Sequence, residues 1–300
     1  MKNQKRARNR KRKAKPGEIV GFLTLALFMI LIIYIAVPFE PRSFQSTTNT
    51  SILTPSSTGH KPLSKVAIVD QLSAYSPDSG FMQKAENVLE QADFSVDIFD
   101  PEDVTVNLYA SLAGRGYKLI VFRVHAGVNE EVKGHPVGLF TTESYTQFKY
   151  QQEQLNDLVG SAQAFNRTET VFAVTPKFIR EKSIVDYDDA IVILMGCFGL
   201  YSPDLPQAFM DRGATMIIGW DGLVDLEHTD KATLTLLRLM LLQKMNVEQA
   251  VASTMNDIGA DSSGSVLGYL PLERGGFTFF EFSDELLLSD INRSVLDMCL

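Results

Sequence analysis

The chain is predicted to be an α/β protein with a mostly parallel central sheet, preceded by one transmembrane helix. Three observations predict this. Short continuous apolar runs, among them Leu119–Val124 and Ala190–Met195, have the length and composition of strands buried on both faces. Segments of helical periodicity separate them, the alternation that builds a parallel sheet. The nineteen residues Ile19–Val37 are apolar apart from one Gly, one Thr and one Tyr, about enough to cross a bilayer as a helix.

The N-terminal elements follow from charge. Residues 1–15 hold nine Lys or Arg and no acid, which predicts that the N-terminus stays cytoplasmic. A cleaved signal peptide would need a shorter apolar core and small residues at its end, and Ala36-Val37-Pro38 is a poor cleavage site. Arg42–Lys65 is rich in Ser, Thr and Pro and reads as a flexible stalk. The expected division is a basic cytoplasmic tail over residues 1–17, a membrane helix over 18–39, the stalk over 40–64 and an α/β domain over 65–300. The expectation is a single-pass cell-membrane protein with its main domain outside the cytoplasm, meeting the lipid bilayer through Ile19–Val37.

Charge also limits the partners. The net charge of −8 hides a split: beyond residue 40 there are 19 basic and 34 acidic side chains. So acidic a domain argues against nucleic acid. Asn49, Asn166 and Asn292 each head an Asn-x-Ser/Thr tripeptide, a frequent chance pattern. No CxxC, HExxH, Walker or Rossmann glycine pattern occurs, so neither a metal nor a cofactor is expected. With two cysteines, Cys197 and Cys299, a disulfide between them and a free Cys197 both stay open.

Within the α/β domain, Val66–Asp70 is the first strand. Phe81–Gln91 follows as a helix with Phe81, Ala85, Val88 and Leu89 on one face. Ser95–Phe99 alternates as a second strand, Val104–Leu112 reads as a helix stopped by Gly114 and Gly116, and Leu119–Val124 is the third strand. Between residues 128 and 189 the pattern is irregular. Val137–Thr142 and Val171–Val174 read as short strands and Tyr145–Leu158 as a helix, forming subsidiary structure over one end of the sheet. Ala190–Met195 is the fourth main strand, Leu205–Asp211 a helix and Thr215–Gly219 the fifth strand. Two helices follow, Asp230–Gln243 and one capped by Asn246. Ser265–Leu270 and Gly276–Phe282 read as closing strands, and the acidic tail from Ser283 as helix.

Parallel strands deliver their carboxyl ends to one edge, where such sheets hold their chemistry. His125 follows the third strand and Cys197 the fourth. If those strands are neighbours, a thiol and an imidazole meet over the rim. A free thiol titrates near pKa 8.5, and an adjacent imidazole can take its proton as general base. Gly196 and Gly199 permit a tight turn around the cysteine, whose backbone N–H would help hold an oxyanion. Taken singly, a buried Cys or a strand-end His is more often structural. Arg123 alternates with His125 on its strand; pairing with a buried acid and support of the site are both open.

The stretches VFRVHAG at 121–127, VILMGCFG at 192–199 and AFMDRGATMIIGWDGLVD at 208–225 resemble the caspase-like cysteine peptidase superfamily, with its gingipain, clostripain and CHAT-domain relatives. The resemblance spans roughly Lys65–Gly275. It implies a caspase-like three-layer sandwich in which Cys197 is the nucleophile and His125 its acid–base partner. The implied activity is hydrolysis of a peptide or protein substrate, with the backbone N–H groups of Ala126 and Cys197 as oxyanion hole. The family has Gly where this chain has Ala126, and inactive members exist, so a catalytically inactive ectodomain that binds or senses a partner is the alternative. Cleavage after a basic residue would need a carboxylate in the pocket. Asp70, Asp221 and Asp225 are the candidates, with Trp220 as a wall or as core. A third possibility is a flavodoxin-like sheet binding an anion at Ser73–Gly80.

Overall fold

The computed structural model describes residues 64–282 except 78 and 166, with the side chain of Ser79 also set aside. The basic tail, the membrane helix, the stalk up to residue 63, the three asparagines of the glycosylation pattern, Cys299 and the acidic tail lie outside the described residues; Ser64 and Lys65, expected to end the stalk, already belong to the first strand. Among the described residues no helix is long and apolar enough to cross a membrane.

The chain is mixed α/β with a mostly parallel central sheet. Its strands are β1 (Ser64–Asp70), β2 (Phe94–Phe99), β3 (Tyr117–Arg123), β8 (Ile191–Leu194), β9 (Met216–Trp220) and β10 (Leu267–Leu270), in the order β10-β9-β8-β3-β1-β2. All neighbours are parallel except β10, which runs antiparallel to β9. The continuous apolar runs are explained by burial on both faces. Val66 and Ile68 point into one core, while Ala67 and Val69 point into the other.

Helices α1 (Ser79–Gln91), α6 (Leu226–Leu237) and α7 (Val247–Ile258) cover the Val66–Ile68 face through residues such as Phe81, Leu89, Leu236 and Ala250. The opposite face is covered by α2 (Val106–Ser111), α4 (Pro176–Lys182) and α5 (Asp204–Met210), through Tyr109, Ile179 and Phe209. Helix α3 (Gln151–Leu155) contributes no fully buried residue. Asn246 caps its helix as expected, accepting the Gln249 N–H at 2.8 Å; Thr105, which was not expected as a cap, accepts that of Leu108 at 3.3 Å, and the helix expected from Asp230 begins earlier, at Leu226.

The irregular region forms a second sheet. Its strands β4 (Ala126–Val128), β5 (Val137–Ser144), β6 (Val159–Gln163) and β7 (Thr170–Val174) are antiparallel, in the order β4-β5-β7-β6. The helix expected over Tyr145–Leu158 is confined to α3, because the chain must straighten at Val159 to pair with Val174. The short strand expected over Val171–Val174 is present, and Pro176 just beyond it is the first residue of α4, capped by Thr175. The strand expected over Gly276–Phe282 is a single bridge at Thr278 followed by a helical turn. There Thr278 and Glu281 bond reciprocally, a capping box that favours helix.

Arg123 lies wholly inside, held by Asp70 at 2.8 Å and in a two-pronged contact with Asp230 at 2.9 Å. Burial opposes the guanidinium charge, but the hydrogen bonds and charges of Asp230 and Asp70 outweigh it and raise the Arg123 pKa. Asp230→Ala would leave the arginine with one carboxylate in a dry interior. We expect a loss of about 3–5 kcal/mol of unfolding free energy, measured by chemical denaturation. A loss below 1 kcal/mol would mean that solvent reaches the arginine.

Candidate functional site

The parallel ladder between β3 and β8 sets the site. Phe122 pairs with Leu194, and Met195 donates its N–H to the Phe122 carbonyl at 3.0 Å. His125 and Cys197 each stand three residues beyond that paired position. The two chains then stay in contact. A β-carbon on Gly196 would collide with the Val124 carbonyl oxygen and lie 3.3 Å from the Ala126 nitrogen. Glycine is therefore required there for a packing reason, and the Cys197 turn rests against the backbone on both sides of His125.

The His125 backbone is clamped from the neighbouring strand end. Gln71, fully buried, accepts the His125 N–H on Oε1 at 2.9 Å, donates from Nε2 to the Thr141 carbonyl at 3.3 Å, and gives its own N–H to the Arg123 carbonyl at 3.0 Å. The imidazole has two aromatic neighbours, both tilted against it. Its ring centroid is 5.3 Å from that of Tyr75 and 6.0 Å from that of Phe140. Arg167 lies over the Tyr75 ring at 5.1 Å and donates to the Tyr75 carbonyl at 3.2 Å. Burial pushes the His125 pKa down, and the Arg167 charge pushes it further the same way.

The Cys197 thiol is free of any disulfide and partly buried. It faces the loop after β9, where Val224 donates its N–H to Sγ at 3.5 Å and offers its carbonyl at 3.7 Å. Burial raises the thiol pKa; the Val224 contact and the cysteine's own N–H pull it down, and the Asp261 and Asp225 charges push it up. The net direction is upward. The following residue, Phe198, sits at φ 62°, a left-handed conformation uncommon for a side chain of this size. It is secured by its N–H to the Gly222 carbonyl at 2.8 Å and by its ring against Tyr201 at 5.5 Å. Among the described residues, the imidazole and the thiol form no hydrogen bond with each other.

The other expected residues divide. Ala126 opens β4 opposite Leu139, with its amide against the Gly196 turn. Asp70 is buried, spent on Arg123 and on the Ser73 hydroxyl and N–H. Trp220 is fully enclosed in the core, its Nε1 donating to Thr229 at 3.0 Å. Asp221 and Asp225 are solvent-exposed. Asp221 accepts from Ser265 Oγ and the Val266 N–H, at 3.0 and 2.8 Å. Asp225 stands at the N-terminal boundary of α6 without a side-chain capping hydrogen bond, and gives its N–H to Asp261 at 3.0 Å. Burial opposes the Asp261 charge, but the N–H groups of Asp225 and Ser263 hold its pKa at about 2. Of the three expected aspartates, Asp225 is the one whose charge reaches the thiol. Among the described residues no three His, Cys, Asp or Glu side chains converge as metal ligands would.

Gln71, Tyr75, Phe140, Arg167, Val224 and Asp261 surround the two groups without having been expected. Tyr75 follows the first strand closely, which is the one signal that could have raised it. The chain matches no protein-family model and no curated protein.

Two outcomes test this geometry. Gly196→Ala should force the Cys197 turn off the Val124 carbonyl and lower the thermal midpoint by several degrees, because a β-carbon cannot share that space. An unchanged midpoint and an unchanged His125 environment would contradict the contact. In a proton NMR titration His125 should protonate below its ordinary value of 6.5, and Arg167→Ala should move the midpoint upward by removing a repelling charge. A wild-type midpoint at or above 6.5 would remove the burial argument.

Proposed function

We propose that this chain is a membrane-anchored cysteine endopeptidase of the caspase-like superfamily, with its α/β domain outside the cytoplasm and Ile19–Val37 as the anchor. The observation that supports it best is the common offset of His125 and Cys197 from the paired Phe122 and Leu194 on adjacent parallel strands. A second support is the Gly196 turn pressed on the backbone around the histidine.

The shifts suit a neutral resting pair: the thiol is raised and the imidazole lowered, so both are uncharged near neutral pH. Catalysis then starts when substrate brings the side chains together. The imidazole takes the Cys197 proton as the sulfur attacks the scissile carbonyl carbon. The C–N bond breaks as the imidazolium returns that proton to the leaving amine. Water, deprotonated by the same imidazole, hydrolyses the thioester. Catalytic hydrogen bonds are often unmade in substrate-free structures and close in the complex. Asp225 is an exposed carboxylate whose charge acts on the thiol, consistent with a basic side chain before the cleaved bond.

A second function is favoured by the Val224 contact. A neutral thiol held by a backbone N–H and carbonyl suits a catalytically inactive binding or sensor ectodomain equally well. Cleavage of a fluorogenic peptide library by the full-length protein in detergent separates the two. The peptidase requires that Cys197→Ala and His125→Ala each lower the rate by about a thousandfold or more. The acid limb of kcat/KM should fall below pH 6.5, because the imidazole stays neutral to lower pH than usual. Cleavage by Cys197→Ala at the wild-type rate would exclude the dyad, and no cleavage by the wild type would leave the binding function.

A further inference from the structure

The second sheet has an unusual outer face. One side, with Val137, Leu139, Phe172 and Val174, packs on the main core. The other side should be polar if it simply faced water. Instead it carries glycines and a separate apolar cluster of Phe140, Ala164, Val171 and Ala173. Gly138 lies opposite Gly127, a β-carbon on Gly138 would meet that of Ala173 at 3.2 Å and one on Gly127 would meet the Phe140 ring at 3.3 Å, so the floor across β4, β5 and β7 is made of small residues with Phe140 as its one large side chain. A trough of about 590 Å³ lies over this floor, the size of a site for a small ligand or a short peptide stretch.

Its lining has two further properties. All five residues of β6, Val159–Gln163, border it. Successive side chains of a strand point to opposite faces, so a cavity touching all five reaches the strand's backbone edge. Among the described residues, β6 pairs only with β7, and its other edge keeps N–H and C=O groups for an incoming strand. The rim also carries Glu130, Glu131 and Asp157 but no Lys or Arg. None of the three carboxylates is ion-paired to a described residue, and all are exposed.

We propose that this trough binds an extended, lysine- or arginine-rich polypeptide segment, the part of the substrate that flanks the bond to be cut. The small residues of the floor admit a backbone at close range, the β6 edge supplies main-chain hydrogen bonds, and the three carboxylates select positive charge. The trough neighbours the candidate site: Gly127 lies two residues past His125, and Phe140 lines the trough while its ring stands 6.0 Å from the imidazole. Its role as a substrate subsite rests on the peptidase function above; its capacity to bind a basic segment does not.

The test uses the full chain carrying Cys197→Ala, in detergent, with two fluorescein-labelled octapeptides, (Lys-Ala)4 and (Glu-Ala)4. Anisotropy should show the lysine peptide binding at least tenfold more tightly, and more weakly at high salt. A side chain added at Gly160 meets no atom within 4 Å, so Gly160→Leu fills the trough without crowding the fold. Gly160→Leu and the pair Glu130→Lys with Glu131→Lys should each weaken the lysine peptide at least tenfold, with unfolding curves unchanged. Equal affinity for the two peptides, or variants that bind as the parent does, would overturn the proposal. Selective binding to a protein whose wild type cleaves nothing would uphold the trough while removing the peptidase. Cleavage without selective binding would do the reverse.

Discussion

Arg123 is a charged side chain with no exposed surface, and the edge of the central sheet depends on how its charge is met. An unpaired guanidinium in this interior would cost several kcal/mol. The chain must therefore bring Asp70 from the end of β1 and Asp230 from the second turn of α6 to the same point. Once Asp230 is seated, Thr229 beside it donates to the Met195 carbonyl at 2.8 Å and accepts from Trp220 at 3.0 Å. One helix turn thereby stitches together the carboxyl ends of β1, β3, β8 and β9. Those ends carry Gln71, His125, Cys197 and Asp221, so placement of the rim follows from a charge that lies beneath it.

The rim itself is held in a resting arrangement. The imidazole lies against Tyr75 and Phe140, and the thiol between the N–H and carbonyl of Val224. Burial disfavours charge on both groups. Both side chains hang from loops whose backbones are fixed, by Gln71 on one side and by the Gly222 carbonyl on the other. Side-chain rotation is thus the inexpensive motion available here, and backbone movement the costly one. The left-handed Phe198 belongs to the same design, since it turns the chain sharply enough for Cys197 to stand at the strand end with Leu200 bonded back to Trp220.

Much of the frame was legible in the sequence, and the parts that were not share one cause. The main strands were visible because both faces are buried, which leaves continuous apolar runs in Val66–Asp70 and Ile191–Leu194. Asn246 was visible as a cap because capping is local. Strands β4 and β6 read AGV and VGSAQ, sequences of low strand propensity that form only because β5 and β7 supply the partners. The aromatic stretch Phe277–Phe282 looked like strand, yet a capping box at its start turns it into helix. Asp70 was correctly placed at the rim, but its carboxylate turns inward because Arg123 waits there, 53 positions away.

By itself, then, the order of residues determined the α/β class, the main strands and their direction, and the presence of a histidine and a cysteine at successive strand ends. These are properties of short windows, where hydrophobic period and breaker residues act directly on the local backbone. The tertiary structure alone decided which carboxylates are buried and which exposed, that Trp220 is core, that Gln71 clamps the histidine and that Val224 holds the thiol. Each depends on contacts tens of positions apart, which form only when the strands stack in their final order.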